Sequence, residues 1–249
     1  MRLAILSDVH GNLPALEAVL ADLEGRSVDG VVNLGDCLSG PLWPAETANL
    51  LMWSGFPTVR GNHDRVVAVE DVAAMGPTDR FTHGALAPRH LDWLRGLPPG
   101  VEPAAGVLAV HGCPGDDMAY LLDEVCDGRL VRAGAPAIAA RLAGQAAAVV
   151  LCGHSHRQNL VRLPAGATLI NPGSVGCPAY RAAGPPAHVS EAGSPHARYA
   201  IAALAGDRVA VDLLAVEYDH AGAAAQAQAC GRPDWAHAIR FGFAAEDAA

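Results

Sequence analysis

The sequence contains no lysine; all 17 of its basic residues are arginine. That excludes a P-loop, whose lysine contacts the nucleotide phosphates, and Schiff-base chemistry, which needs a lysine amine. Positive charge is scarce relative to negative, with 26 Asp and Glu and a formal net charge of −9. This argues against nucleic-acid binding by broad phosphate neutralisation but not against a phosphate substrate held through metal ions. Aromatic side chains make up only 5% of the chain, too few for an extended base-stacking platform. No apolar run approaches the ~20 residues of a membrane span. The first run, Leu3 to Leu6, stops at Ser7-Asp8, short of a signal-peptide core. The six cysteines (37, 113, 126, 152, 177 and 230) form no CxxC pair, so a zinc ribbon or thioredoxin-type site is not expected. The expectation is a cytoplasmic protein with reduced, packing cysteines and no membrane partner.

What is present is a large apolar content, 51% against 17% charged, in 249 residues. That suits one domain over 1–249 with a sizeable core. Leu3 to Leu6, Val31 to Leu34, Phe56 to Val59, Val107 to Val110, Ala147 to Cys152 and Thr168 to Ile170 read as short buried strands. Helices are expected over 13–23, capped by Asn12 with Pro14 in the first turn, and over 44–54, 85–95, 117–125 and 136–143. Alternating strands and helices imply βαβ units and a mostly parallel α/β sheet. Residues of about 65–135 read as a helical, cap-like segment, and 176–197 as one long loop. A hairpin over 198–204 and 208–216, turning at Gly206-Asp207, and a helical tail complete the chain over about 198–249.

Five of these strands end in side chains that can bind metal. The first ends in Asp8 and His10, the second in Asp36 and the third in Asn62, His63 and Asp64. The fourth ends in His111 and the fifth in His154 and His156. The carboxyl ends of parallel strands share one sheet edge, where ligands bind. Residues i and i+2 leaving a strand point to one side, so Asp8/His10 and His154/His156 each aim two groups at one pocket. The set of His, Asp and Asn suits Mn, Fe, Zn, Ni or Co better than Ca or Mg. It is too large for one tetrahedral site and suits two metals bridged by a carboxylate, which can clamp a phosphoryl group.

The blocks Ser7-Asp8-Val9-His10-Gly11-Asn12, Gly35-Asp36, Gly61-Asn62-His63-Asp64, His111-Gly112 and Gly153-His154-Ser155-His156 resemble the calcineurin-like metallophosphoesterases, in family order. Asn171-Pro172-Gly173-Ser174 is similar to the small bacterial phosphodiesterase-like branch. The resemblance implies two packed mixed β-sheets flanked by helices, an α/β/β/α sandwich. It implies one metal on Asp8, His10, Asp36 and His156, and a second on Asp36, Asn62, His111 and His154. Manganese is expected first, and Fe, Zn, Ni or Co are compatible. A hydroxide bridging the metals beside Asp36 would attack phosphorus. His63 would protonate the leaving oxygen or stabilise charge on the phosphoryl group, and Asp64 would orient His63. Asn12, Arg65, Arg157, Tyr180 and Arg181 are candidate substrate contacts.

The implied activity is hydrolysis of phosphate esters, with small phosphodiesters preferred. A phosphomonoesterase, a protein Ser/Thr phosphatase or a dinucleoside polyphosphate hydrolase would use the same motifs, and a non-catalytic scaffold is the reading from another class. Intact His63 argues against the scaffold, and the net charge against a nucleic-acid partner. The Ala/Gln-rich segment 221–230 and the loop 176–197 offer surfaces for a homodimer.

Overall fold

The computed structural model describes residues 1–69, 71–206 and 208–246. The chain opens with β1 (Arg2–Leu6), α1 (Leu13–Glu24), β2 (Gly30–Asn33) and α2 (Pro44–Ser54), followed by α3 (Asn62–Val69), α4 (Pro77–Ala85) and α5 (Pro88–Gly96). Strands then dominate: β3 (Gly100–Ala104), β4 (Val107–Val110), β5 (Asp123–Cys126) and β6 (Arg129–Arg132) precede α6 (Ala135–Arg141) and β7 (Val149–Leu151). β8 (Gln158–Arg162), β9 (Thr168–Pro172), β10 (Ala179–Ala182), β11 (His188–Glu191), β12 (Ala197–Ala205) and β13 (Arg208–Val216) lead to α7 (His220–Ala229) and α8 (Pro233–Phe241).

Two mixed sheets, ordered β13-β12-β1-β2 and β3-β4-β7-β9-β8, pack face to face. The two-residue period of β1 explains why both of its faces are buried. Leu3 and Ile5 join Val32, Leu34, Val107, Ala109, Val149, Leu151 and Ile170 between the sheets. Ala4 and Leu6 face outward into the cluster formed with α1, α2, α3 and α5. On the far side, Val150, Cys152 and Leu169 meet Ile138 and Leu142 at α6. This is the expected α/β/β/α sandwich. Among the described residues no helix is long and apolar enough to cross a membrane.

The middle of the chain departs from the expectation. Only its first part, to Gly96, is helical, and α4 was not foreseen. Residues 117–125 are not a helix. Cys113 and Asp116 bond in a tight turn, and Asp123–Cys126 pairs antiparallel with Arg129–Arg132. Asp127 and Gly128 both take positive φ (50° and 71°), the backbone a two-residue hairpin turn demands, and they carry that pairing. The expected loop 176–197 contains β10 and β11, which with β6 and β5 form a third, small sheet. The stretch Phe56 to Val59 contributes only an isolated bridge, Asn33 to Thr58. The β12–β13 hairpin forms as expected, with Asp207 of its turn outside the described residues.

Candidate metal centre

The loops after β1, β2, β4 and β7 converge at one edge of the sandwich. There the ligand-capable atoms of Asp8, His10 and His156 lie within 4.8 Å of one another, and so do those of Asp36, His111 and His154. Among the described residues eight non-glycine positions have positive φ, and five of them are Asp8, His10, Asp36, His154 and His156. L-residues adopt this region at a cost, and strain of this kind gathers at binding sites. The close approach of the loops needs small residues. A Cβ on Gly61 would collide with the Asp36 carboxylate, and one on Gly153 with Ser7 Oγ and Asp8 Oδ2.

Asp36 sits between the groups, its Oδ2 3.3 Å from His111 Nε2 and 3.9 Å from His10 Nε2. Its Oδ1 accepts from the His63 backbone N–H at 3.0 Å. Asn62 Oδ1 lies 3.0 Å from His111 Nε2. Three imidazoles are oriented alike, with Nδ1 against a backbone carbonyl: His10 on Ser39 (2.6 Å), His111 on Leu34 (2.8 Å) and His156 on Cys177 (2.7 Å). Donation from Nδ1 fixes the tautomer whose Nε2 lone pair is available to a metal. His154 is turned the other way, its Nε2 on Met118 O at 3.0 Å, which leaves Nδ1 for the cluster.

The site is unbalanced as a set of hydrogen bonds. His10 Nε2 and His156 Nε2 face each other at 3.1 Å although both Nδ1 atoms are already engaged. Asp8 Oδ1 is buried with no hydrogen-bond partner, 3.3 Å from His156 Nε2. Imidazole nitrogens converging beside an orphaned carboxylate oxygen fit a divalent cation, as does the mixed imidazole and carboxylate donor set. Burial and the neighbouring His156 push the His10 pKa down to about 4. Burial and His111 do the same for His154. Burial also opposes charge on His111, but the Asp36 carboxylate outweighs it and holds that pKa at about 9.

His63 lines the cavity above Asp36. Its Nδ1 lies 2.8 Å from Asp79 Oδ1 on α4, and Ser39 Oγ donates to the same oxygen at 2.5 Å. Burial opposes protonation of His63, yet Asp36 and then Asp79 hold its pKa up at about 9. Asp64 does not orient His63, which corrects the sequence reading. Its oxygens accept from Cys37 N and Gly61 N, each at 2.9 Å, so it braces the loops that carry Asp36 and Asn62. Asp79 was missed because it lies 16 residues from His63 on an unforeseen helix. Only an Asp in the first turn after Pro77 was there to signal it.

The residues expected to contact substrate divide. Tyr180 and Arg181 line the cavity. Three residues do not. Asn12 is fully buried, capping α1 through Ala15 N and donating to Gly176 O and Tyr218 Oη. Arg65 forks onto Asp117 at 2.8 and 3.0 Å. Arg157 bonds Leu130 O and lines a separate, smaller pocket. Each is engaged by the fold's own polar groups. Tyr120, Trp235 and Arg232, not foreseen, also line the main cavity.

A sequence profile of the calcineurin-like phosphoesterase superfamily domain matches residues 1–190. A metallophosphoesterase from Sphaerobacter thermophilus superposes with a TM-score of 0.72 and 27% identity, covering 96% of this chain and 98% of that one. A hypothetical protein from Pyrococcus horikoshii gives 0.72 at 19% identity, covering 98% and 99%. An uncharacterized protein of Methanocaldococcus jannaschii is 39% identical over 62 residues, 25% of this chain and 26% of that protein.

Proposed function

Since the chain belongs to the calcineurin-like phosphoesterase superfamily, we propose that it hydrolyses small phosphodiesters with the help of two divalent transition-metal ions. The observation that carries this reading is the pair of ligand groups, Asp8/His10/His156 and Asp36/His111/His154, of which His10, His156, Asp36 and His154 line one cavity together with His63. Asp36, between the groups, is the shared carboxylate, and Asn62 joins the second group. Bound there, such ions polarise phosphoryl oxygens and make water a better nucleophile at neutral pH. Manganese is the ion to supply first.

The chain's own residues do the rest. Hydrolysis forms a P–O bond to water and breaks the P–O bond to the leaving alcohol, whose oxygen needs a proton. His63 supplies it from Nε2, because Nδ1 is committed to Asp79. Asp79 acts through His63 as a positioning residue. It fixes the ring and favours its protonated form, as the buried aspartate of a catalytic triad does. What supports one catalytic domain over 1–249 is that cavity-lining residues run from His10 to Glu246.

The test is hydrolysis of bis-p-nitrophenyl phosphate beside p-nitrophenyl phosphate by metal-stripped protein refilled with Mn²⁺. Diester preference, lost in Asp36→Ala and strongly reduced in His63→Ala, is the expected result. Monoester preference would move the assignment to a phosphatase. Inactivity on both with metal bound would overturn the hydrolase reading.

A further inference from the structure

His154 is held unlike the other three imidazoles. His10, His111 and His156 set Nδ1 against the carbonyls of Ser39, Leu34 and Cys177, whereas His154 sets Nε2 against Met118 O at 3.0 Å. A carbonyl only accepts, so this contact puts the ring proton on Nε2 and leaves the Nδ1 lone pair for the cluster. The tilt of the ring comes from the same stretch of chain. Tyr120, two residues on, stacks on His154 at 4.7 Å with 27° between the planes. Loop 113–120 therefore sets both the tautomer and the orientation of this one imidazole.

Met118 does little to anchor that carbonyl, since it is 57% exposed. The rest of the loop holds it. The chain folds back over Gly112, where a Cβ would stand 2.7 Å from both Asp116 O and Ala119 O. Cys113 and Asp116 bond backbone to backbone, and Asp116 Oδ1 accepts from Met118 N at 2.9 Å. Tyr120 Oη reaches Tyr180 Oη at 2.7 Å and His188 Nε2 at 2.8 Å. A further tie is ionic. Arg65 forks onto Asp117, Nε to Oδ2 at 2.8 Å and Nη2 to Oδ1 at 3.0 Å. Two parallel charge-assisted bonds fix direction as well as distance. Hydrogen bonding to Arg65 holds the Asp117 carboxyl below the usual carboxylate range, so the fork is charged at neutral pH. Both ends of it stand on elements of the second ligand group. Arg65 is on α3, three residues after Asn62, whose Oδ1 is 3.0 Å from His111 Nε2. Asp117 adjoins Met118 in the loop that leaves β4 through His111. The first group is oriented elsewhere, His10 by Ser39 O and His156 by Cys177 O.

Building on the reading of His154 as a metal ligand, we infer that Arg65 and Asp117 are positioning residues that form a latch for the second ligand group. The fork clamps loop 113–120 over His154 and so keeps Nδ1 presented beside Asp36 and His111. The two groups then differ in how they are prepared for metal. The first is oriented by carbonyls of its own surroundings, and the second depends on an ion pair between α3 and the loop. Opening the latch should cost one metal and spare the other.

Calorimetric titration of the full-length, metal-stripped protein with Mn²⁺ tests this in Arg65→Met, Asp117→Ala and the double variant. Each single variant should weaken, about 10- to 100-fold, the same binding event that His154→Gln removes. The other event should be unchanged. Arg65→Lys keeps the charge but cannot fork, so it should fall between wild type and Arg65→Met. The double variant should be no weaker than the single ones, because all three lose one and the same interaction. That cycle also separates the fork from the other interactions of Arg65. The ring proton is read independently by nitrogen NMR on metal-free, histidine-labelled protein at neutral pH, with His154 identified by its loss in His154→Gln. In wild type the proton should sit on Nε2, and in the single variants the two tautomers should mix.

Two Mn²⁺ bound with unchanged affinity in both single variants would overturn the latch and leave the metal centre standing. Equal weakening of both binding events would overturn it too, since that marks a general loosening of the fold. So would a double variant whose loss is the product of the single losses, on the order of 10²- to 10⁴-fold. Should a single variant fail to fold, Arg65→Lys decides, and a wild-type titration in it overturns the latch. If the wild type binds no Mn²⁺, the metal reading fails and the ring proton alone decides. An Nε2 proton retained in both single variants then overturns the latch, and its redistribution upholds the hold on His154.

Discussion

His63 Nδ1 and Asp79 Oδ1 are 2.8 Å apart, although 16 residues and a change of helix separate them. The same carboxylate oxygen holds Ser39 Oγ, from the loop that carries Asp36. One acidic side chain therefore ties α4 to the Asp36 loop and to His63, the proposed proton donor. Its carboxyl stays below the usual range despite burial, because His63 and Ser39 hydrogen-bond the charged form.

Asp79→Asn should lower kcat about 10- to 100-fold with little change in KM, and His63→Ala by about 10²- to 10⁴-fold. The pH profile separates a positioning role from a structural one. His63 must be protonated to donate, so the rate falls as pH rises through its pKa. Asp79 is one of the groups that raises that pKa, so the falling limb should move to lower pH in Asp79→Asn. Asp64→Asn touches the loop braces instead and should weaken metal retention without moving the limb. An unmoved limb in Asp79→Asn would refute the positioning role.

Metal loading should release protons. Without metal, His111 is held protonated to about pH 9 by Asp36, and Asp8 outweighs burial to hold His156 well above the ordinary histidine value. Ligation requires both to be neutral. At pH 7 about one to two protons should leave per loaded site pair, and affinity should rise with pH up to at least the His111 value of about 9. Calorimetric titration with Mn²⁺ in buffers of different ionisation enthalpy counts these protons. A count of zero would mean that the two histidines are already neutral in the metal-free site or are not ligands.

The glycines between the ligand loops offer a geometric test. A methyl group at Gly61 would press on the Asp36 carboxylate, and one at Gly153 on Asp8. Gly61→Ala and Gly153→Ala should each lower metal affinity on the order of 10- to 100-fold, as loss of a ligand's supporting contacts does. Gly76→Ala, where a Cβ would meet nothing within 4 Å, is the control and should leave affinity unchanged. Equal affinity in all three would show that the loops yield freely.

The convergence of the candidate ligand groups was legible in the sequence because each group draws on residues that follow directly on buried strands. A parallel-rich sheet brings those strand ends together whatever lies between. The continuous apolar run from Leu3 to Leu6 likewise foretold a buried strand. What could not be read depends on tertiary placement. Asp79, Tyr120 and Trp235 belong to segments with no local metal or catalytic signal, and they reach the site only because α4, the β5 approach and α8 fold over it. Asp64 misled for the converse reason. It is adjacent to His63 in sequence, but at the start of α3 its carboxylate turns back onto the Gly61 and Cys37 amides. Asp127-Gly128 carried a hairpin signal that the apolar spacing of Leu121 and Leu122 obscured.

The inter-sheet core positions the site as well as stabilising the fold, and the two effects can be separated. Ile5 is fully buried between the sheets, three residues before Asp8, whereas Leu160 on β8 is 44% exposed. Ile5→Ala should cost about 2–5 kcal/mol, through lost burial and the cavity left behind. Leu160→Ala should stay within ~0.5 kcal/mol of the parent. Metal binds the folded state and should stabilise it by mass action, about 2.7 kcal/mol at a hundredfold excess over Kd. If the Ile5 cavity only weakens the core, saturating Mn²⁺ should raise the unfolding free energy of Ile5→Ala by the same amount as that of Leu160→Ala. If it also displaces Asp8, the gain should be smaller in Ile5→Ala, because its Kd has risen. Denaturant unfolding of both variants, with and without Mn²⁺, measures the difference. A small core loss in Ile5→Ala, below about 1 kcal/mol, would contradict the packed sandwich itself.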